Sequence, residues 1–281
     1  MRVLEGIADL KEQIKAWKNE GLSVAFVPTM GYLHEGHLSL IEACKEDKIV
    51  VSIFVNPLQF GSGEDLATYP RDLRRDARLC EENGVDLLFT PQVAEFYPSD
   101  FSSFVDMSGL SERLCGAKRA GHFRGVCTVL MKFFHLIQPD RAYFGQKDAQ
   151  QCAVVARMVE DLNLPLELVV CPIVREEDGL AKSSRNVYLN AREREAALVL
   201  SRAIFLGERM VKEGERRAEV ILEAMRGEIQ KESLARVDYI SLVDPHSLED
   251  LERIEGGVLG AVAVYVGRTR LIDNFLLQGL K

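Results

Sequence analysis

Short apolar runs alternate with longer stretches of helical spacing in the first part of the chain. "LSVAFVPT" (22–29) and "KIVVSIFVNP" (48–57) have the length and composition of buried strands. Between them, residues 37–47 place apolar side chains at helical intervals. The order strand, helix, strand predicts a βαβ unit with parallel strands.

The alternation continues to residue 174. Further helices are predicted over 70–84, 125–139 and 147–163, and further strands over 85–91, 141–145 and 164–174. This pattern predicts an α/β fold, a Rossmann-like doubly wound parallel sheet that binds ligands at the carboxyl ends of its strands.

The pattern changes after residue 174. Two charged amphipathic helices are expected over 191–213 and 217–232, and strands over 236–244 and 257–277. We therefore expect a first domain over residues 1–174 and a smaller α+β C-terminal domain over 175–281.

Composition and charge narrow the possible functions. The chain of 281 residues is 47% hydrophobic and 28% charged, which is typical of a folded globular protein. Its formal net charge of −8 argues against a broad nucleic-acid surface. Charges interrupt the first 20 residues, and no later stretch could cross a bilayer, so we expect a cytoplasmic protein without nucleic-acid or membrane partners.

The six cysteines form no CxxC pair, and we expect them to be mostly reduced residues of the core.

Two of the five histidines, His34 and His37, follow the first predicted strand in "PTMGYLHEGHLSLI" (28–41). A helix that begins there would present its amides and both imidazoles to an anion, and Gly31 and Gly36 would let a phosphate approach the backbone. A polar loop with incidental histidines is the alternative. Zinc binding is disfavoured, because the HExxH motif needs histidines four residues apart.

Neutral amides follow the next predicted strand in "FVNPLQF" (54–60). Asn56 and Gln59 could hold a small polar substrate without burying a charge. For Asn56, an ordinary turn before proline explains the sequence equally well.

Two later segments contain cationic residues in positions that favour anion binding. In "YFGQKDAQQ" (143–151), Lys147 lies in a first helical turn, where a cation is unfavourable unless an anion is nearby, and Gln151 lies one turn further. In "DGLAKSSRNVYL" (178–189), two cations and two hydroxyls occupy residues 182–185 and favour a phosphate site at the domain junction. A solvated surface lysine and a charged linker are the alternatives.

Taken together, the histidine pair and the later basic loop resemble the HIGH and KMSKS motifs of the nucleotidylyltransferase superfamily. Six segments in order, "PTMGYLHEGHLSLI", "FVNPLQF", "YPRD", "GHFRGVCTVL", "YFGQKDAQQ" and "LAKSSRNVYL", resemble the pantothenate synthetase family over about residues 22–190. The resemblance implies a homodimeric ligase that condenses pantoate with β-alanine, using ATP and Mg²⁺. It also implies a pantoyl-adenylate intermediate and release of pyrophosphate and AMP.

The resemblance also implies site residues. The ATP site would comprise Met30, Gly31, Tyr32, Leu33, His34, Glu35, Gly36, His37, Gly145, Gln146, Lys147, Asp148, Val174, Lys182, Ser183, Ser184 and Arg185. His37 would be the catalytic proton donor, and Lys147 and Arg185 would stabilise charge on the phosphates. Gln59 and Gln151 would bind pantoate, with Asn56 beside them. We expect Asp76 as a metal ligand.

One position departs from the family pattern. Many family members have an apolar residue where this chain has Lys182, so this lysine either adds a phosphate contact or faces solvent. We rank its role below that of Arg185.

Other activities share part of this pattern. A nucleotidylyltransferase of another pathway would need the histidines and the basic loop but not Gln59 and Gln151. A nucleotide-binding regulatory protein would not need His37 for catalysis. An RNA-binding synthetase relative is disfavoured by the acidic charge balance.

Overall fold

The large sheet is parallel throughout. The computed structural model describes residues 1–44 and 47–280. Its first sheet comprises β1 (Arg2–Leu4), β2 (Val24–Thr29), β3 (Lys48–Ile53), β4 (Leu87–Phe89), β5 (Arg141–Gly145) and β6 (Glu167–Cys171). The strand order is β1-β4-β3-β2-β5-β6. From β2 the chain builds the sheet first toward β3 and later toward β5, so the order reverses between β2 and β5.

Helices cover both faces of this sheet. They are α1 (Ile7–Asn19), α2 (Glu35–Glu42), α3 (Leu73–Glu82), α4 (Val93–Phe96), α5 (Leu114–Lys118), α6 (His122–Ile137) and α7 (Ala149–Asp161). Successive side chains of β2 point to opposite faces, so that Phe26 packs with α1, α6 and α7 while Val27 packs with α2 and α3. The expected doubly wound α/β architecture is confirmed.

The small domain combines helices with an antiparallel sheet. It contains α8 (Ala191–Ala196), α9 (Leu198–Lys212), α10 (Ala218–Gln230), β7 (Ala235–Val243), β8 (Val258–Val266) and β9 (Thr269–Leu277). The strands pair in the order β7-β8-β9, and α9 and α10 share a hydrophobic core with them. The predicted α+β character of this region is confirmed, although the apolar run 257–277 folds as two strands joined at Gly267 rather than one.

Several element boundaries differ from the sequence prediction. The helix expected over 37–47 begins at Glu35 and ends at Glu42, and residues 45 and 46 of that prediction lie outside the described residues. The helix expected over 191–213 is divided at Ala197 into α8 and α9. We did not predict β1, α1, α4 or α5. Residues 172–190 connect β6 to α8, and the domain boundary at 174/175 stays a prediction.

All six cysteines are buried as free thiols. None of the helices formed by residues 1–44 and 47–280 combines the length and apolar surface that crossing a bilayer requires.

Candidate active site

A cleft opens where the strand order of the large sheet reverses, at the carboxyl ends of β2 and β5. This is the crevice in which doubly wound sheets bind ligands. One cavity of about 220 Å³ lies against these strand ends, and a second of about 830 Å³ lies between the two domains. Both are lined by Arg119, His122, Lys147, Asp148, Gln151, Ser183 and Arg185. The shared residues join the two cavities into one interdomain cleft.

Most of the predicted site residues meet in the smaller cavity. Its lining includes Met30, His34, Gly36, His37, Asn56, Gln59, Gly145, Lys147, Asp148, Gln151, Val174, Lys182, Ser183, Ser184 and Arg185. The remaining predicted residues lie outside both linings: Gly31, Tyr32, Leu33, Glu35, Gln146 and Asp76. The structure therefore separates residues that face the cleft from residues that shape its walls.

Asp76 shapes the loop that follows β2. Its side chain is 1% exposed, and its carboxylate accepts hydrogen bonds from the backbone N–H groups of Tyr32 (2.6 Å) and Leu33 (2.8 Å). Tyr32 has a φ of 52° and Gly31 a φ of 86°, and a Cβ on Gly31 would lie 2.9 Å from the Ile53 side chain. The buried carboxylate thus holds a strained loop in place.

This position does not favour the expected metal-ligand role of Asp76, which stays a prediction. Both carboxylate oxygens are engaged by backbone N–H groups, and Arg75 also lies 3.4 Å from one of them. A buried carboxylate with these partners supports the loop from behind, and Asp76 lines neither cavity.

His34 and His37 cap the first turn of α2. The Nδ1 atom of His34 accepts from the N–H of Gly36 (3.1 Å), and the Nδ1 atom of His37 accepts from the N–H of His34 (3.2 Å). Because each Nδ1 accepts, each ring carries its proton on Nε2. Zinc bound at Nε2 would move the ring proton to Nδ1 and break these capping bonds, which argues against the zinc alternative.

Both histidines are neutral in this environment. Loss of hydration, together with the nearby charges of Lys147, Lys182 and Arg75, lowers the pKa of His34 to about 4. Loss of hydration and the neighbouring His34 and Lys147 hold the pKa of His37 well below its usual value. Without a bound anion, each imidazole is therefore a hydrogen-bond donor through Nε2–H rather than an imidazolium acid.

Asn56 holds Gln59 rather than facing the cleft with a free amide. Its side chain is 1% exposed; Oδ1 accepts from the Tyr97 hydroxyl (2.9 Å), and Nδ2 donates to Gln59 Oε1 and to the Gly125 carbonyl, both at 3.0 Å. These bonds favour a supporting role for Asn56, and its expected contact with substrate stays a prediction. Since Gln59 Oε1 accepts from Asn56, Gln59 Nε2 is left as a donor on the cleft side, 3.2 Å from the Met30 sulfur.

A chain of polar groups that we did not predict continues from Gln59. His122 Nδ1 donates to the Gln59 carbonyl (2.8 Å), His122 Nε2 accepts from Arg119 (2.9 Å), and Arg119 forms a two-bond ion pair with Glu64 (2.7 and 2.6 Å). Burial and the adjacent Arg119 lower the pKa of His122 to about 4. The segment "GHFRGVCTVL" contributed to the family resemblance, but Arg119 and His122 meet Gln59 and Glu64 across 55 to 63 positions.

Lys147 projects from the turn after β5. Its ammonium lies 3.3 Å from the carboxylate of Asp148, and both side chains line the two cavities. Gln151 follows on α7 and lines the same cavities. The main chain of this turn is bonded to Asn274 of β9, which we did not predict as a site residue.

The basic loop 182–185 closes the opposite wall. Arg185 forms a two-bond ion pair with Asp65, and the Ser184 hydroxyl donates to the Tyr32 carbonyl (3.2 Å). The Ser183 hydroxyl accepts from the N–H of Arg185 (3.3 Å). The loop therefore contacts the histidine-bearing segment directly, which brings the two motifs to one site.

Lys182 neither faces solvent freely nor is free to contact a phosphate. It lines the smaller cavity, yet its ammonium lies between Glu176 (2.6 Å) and Glu35 (3.0 Å). These carboxylates raise the pKa of Lys182. The lysine thus ties the basic loop to the first turn of α2.

Known proteins match this chain over nearly its whole length. The model of the pantoate-β-alanine ligase family matches residues 2–276. Pantothenate synthetase of Clostridium botulinum (strain Okra / Type B1) is 54% identical over 280 residues, covering 99% of this chain and 100% of its own. The enzyme of Ruminiclostridium cellulolyticum is 56% identical over 276 residues, covering 98% of each chain.

Solved structures show the same architecture. Pantothenate synthetase from Thermus thermophilus superposes with a TM-score of 0.92 at 47% identity, over 98% of this chain and 99% of its own. Pantoate-β-alanine ligase from Francisella tularensis, complexed with β-γ ATP and β-alanine, superposes with a TM-score of 0.80 at 30% identity, over 98% and 97%. With the family model and close relatives spanning the full length, the chain belongs to the pantoate-β-alanine ligase family.

Proposed function

We propose that the interdomain cleft carries out ATP-dependent ligation of pantoate with β-alanine in two steps, through a pantoyl-adenylate. Family membership establishes the overall ligase activity. The observation that supports the two-step mechanism is the convergence of His37, Lys147 and Arg185 on one cavity that also receives Gln59 and Gln151. Three donors to phosphate oxygens and two neutral amides suit a nucleotide beside a small hydroxy acid.

In the first step, a carboxylate oxygen of pantoate attacks the α-phosphorus of ATP, and the bond to pyrophosphate breaks. Pantoate is already ionised at neutral pH, so this step needs no general base. It requires in-line positioning and stabilisation of charge on the phosphates. Lys147 and Arg185 supply positive charge, and the His37 Nε2–H group supplies a hydrogen bond to the transferring group.

Gln59 and Gln151 bind pantoate in this proposal. The bond from Asn56 fixes the Gln59 amide so that Nε2 is available as a donor to a pantoate oxygen. Gln151 lies on the first turns of α7 and borders both cavities, so it can reach the same substrate. Two neutral amides contact the hydroxy acid without adding charge beside its carboxylate.

In the second step, the free amine of β-alanine attacks the acyl carbon of the adenylate, AMP leaves, and water or a group of the site accepts the proton that the amine loses. Arg119 lies beside Gln59 on the wall common to both cavities, and its guanidinium donates to the Gln59 carbonyl as well as to Glu64. We assign Arg119 to the carboxylate of β-alanine, which would replace Glu64 as the two-bond partner of the guanidinium.

Mg²⁺ on the phosphates fits the donors of this site. Magnesium is usually held by substrate phosphates and one or two carboxylates, and Asp148 offers a carboxylate that borders both cavities. The bound ion would neutralise phosphate charge. We also propose a homodimer and a cytoplasmic location, which rest on the family resemblance.

The test is pantoate-dependent exchange of labelled pyrophosphate into ATP, with AMP released only after β-alanine is added. Exchange without dependence on pantoate would favour another nucleotidylyltransferase. ATP binding without exchange would favour a regulatory protein.

Two variants assign roles within the site. His37→Ala should slow exchange far more than it weakens ATP binding, and equal losses would contradict a catalytic role. Gln151→Ala should raise the KM for pantoate, and an unchanged value would remove it from the pantoate pocket.

A further inference from the structure

We propose that Asn274 is a positioning residue for Lys147, supplied to the ATP site by the small domain. The inference rests on the proposed function, since it concerns the adenylation step. Asn274 lies on β9, whereas Lys147 follows β5 of the large sheet. The contact between them therefore crosses the domain junction.

The side-chain amide of Asn274 is fully engaged by the turn that carries Lys147. Asn274 is 3% exposed, and its Nδ2 donates to two consecutive carbonyls, those of Gln146 (2.9 Å) and Lys147 (3.0 Å). Its Oδ1 accepts from Gln146 Nε2 (3.2 Å). Two bonds to adjacent peptide units fix both the position and the orientation of the turn.

The preceding residue holds a second segment of the site. Asp273 is buried and forms a two-bond ion pair with Arg175 (2.7 and 3.0 Å), which also donates to the Gly179 carbonyl (3.0 Å). The Asn274 N–H in turn donates to Asp273 Oδ1 (2.7 Å). Neighbouring residues of one strand thus hold the Lys147 turn and the start of the segment that leads to Arg185.

This arrangement predicts an effect confined to adenylation. A lysine side chain is long and flexible, so the place of its ammonium depends on a fixed main chain. Lys147 is assigned to the phosphates of ATP. Two of these phosphates leave as pyrophosphate at the end of the first step. A displacement of the turn by about 1 Å can cost up to about a hundredfold in rate where geometry is critical. Attack of β-alanine on a preformed adenylate does not need the pyrophosphate contacts.

The experiment compares the two half-reactions in Asn274→Ala. We expect the rate constant of pyrophosphate exchange to fall about tenfold or more. Aminolysis of chemically prepared pantoyl-adenylate by β-alanine should stay within about twofold of the unaltered protein. Equal losses in the two half-reactions, or unchanged exchange, would overturn the proposal. Failure of the unaltered protein to exchange would instead refute the proposed function.

A double variant separates positioning from general stability. In the Lys147→Ala background, Asn274→Ala should cause little further loss of exchange, because both changes remove the same contribution. An undiminished additional loss would contradict action through Lys147.

Two further variants complete the design. Asn274→Leu keeps a similar side-chain size but offers no N–H to the two carbonyls, and it should reproduce the exchange defect even if the alanine variant does not fold. Asn83→Ala is the matched control, since Asn83 Nδ2 also donates to a main-chain carbonyl, that of Leu79 (2.8 Å), on α3. A normal exchange rate in Asn274→Leu would contradict the inference.

Discussion

The guanidinium of Arg185 is paired with the carboxylate of Asp65 through two bonds of 2.9 Å. The two residues come from different walls of the cleft, Asp65 from the loop after β3 and Arg185 from the basic loop. Both side chains are partly exposed to the cleft. Without nucleotide, a carboxylate therefore occupies the group that we assign to a phosphate.

Asp65→Asn should tighten ATP binding about two- to fivefold. A partly exposed ion pair contributes about 0.5–1 kcal/mol, and the phosphate no longer has to compete with it. Calorimetric titration with a non-hydrolysable ATP analogue measures the change. Asp178→Asn is the control, because Asp178 pairs with Arg194 on the surface (2.9 Å). Weaker binding in Asp65→Asn would show instead that Asp65 holds Arg185 in its binding position.

Asp76→Asn should weaken the loop without changing the metal requirement. An amide can accept from only one of the two N–H groups, those of Tyr32 and Leu33, so the free energy of unfolding should fall by about 1–3 kcal/mol and the KM for ATP should rise. The Mg²⁺ concentration for half-maximal exchange should stay the same. Asp72→Asn, a helix cap on the same helix, should change stability by only a few tenths of a kcal/mol. An increased Mg²⁺ requirement would restore the metal-ligand role.

Gly125→Ala should impair pantoate binding through the main chain. A Cβ at this position would lie 2.3 Å from the Leu58 carbonyl oxygen and 2.6 Å from the Gln59 nitrogen. We expect a rise in the KM for pantoate and a loss of about 1–3 kcal/mol of stability, because α6 and the Gln59 turn must separate.

Gly227→Ala provides the matched comparison for this helix glycine. A Cβ there meets nothing within 4 Å, so the free energy of unfolding of this variant should rise by about 0.5–1 kcal/mol. A Gly125→Ala protein with normal pantoate KM would show that the turn adapts without moving Gln59.

His122→Gln should lower the free energy of unfolding by an amount that depends on pH. The pKa of His122 is lowered to about 4 in the fold, so the unfolded chain binds more protons between pH 6.5 and 4. The stabilising contribution of His122 is therefore complete above pH 6.5 and is lost as pH falls through this window. The stability difference between the two proteins should shrink by about 2 kcal/mol from pH 7.5 to pH 5. Urea denaturation at several pH values measures it, and a constant difference would refute a buried neutral histidine.

The large sheet could be predicted because its central strands, β2, β3 and β4, are largely buried on both faces. Strands such as β2 and β3 are then continuous apolar runs, and the intervening helices keep their own periodicity. β1 has only three residues, which is too short for a pattern to be recognised. The turn at Gly267 was not recognised, although Arg268, Thr269 and Arg270 interrupt the apolar run there.

Site residues within the motifs were predictable, whereas their partners were not. His37, Lys147 and Arg185 stand in short segments with a recognisable phosphate-binding composition. Asp65 meets Arg185 across 120 positions, and Asn274 meets Lys147 across 127. Such pairings depend on tertiary packing, which local patterns do not encode. The same limitation applies to Asp76 and Asn56, since local sequence could not indicate their hydrogen bonds to protein groups more than 40 positions away.

The peptide that joins the two domains also forms a wall of the nucleotide cavity. Interdomain connections usually tolerate insertions and exchange of their flanking modules. Here an added residue within 172–190 would displace Ser184 from Tyr32 and Arg185 from Asp65. Chimaeras with related ligases should therefore inherit this segment intact, together with both surfaces that it contacts. The catalytic site thus constrains how the gene can be recombined.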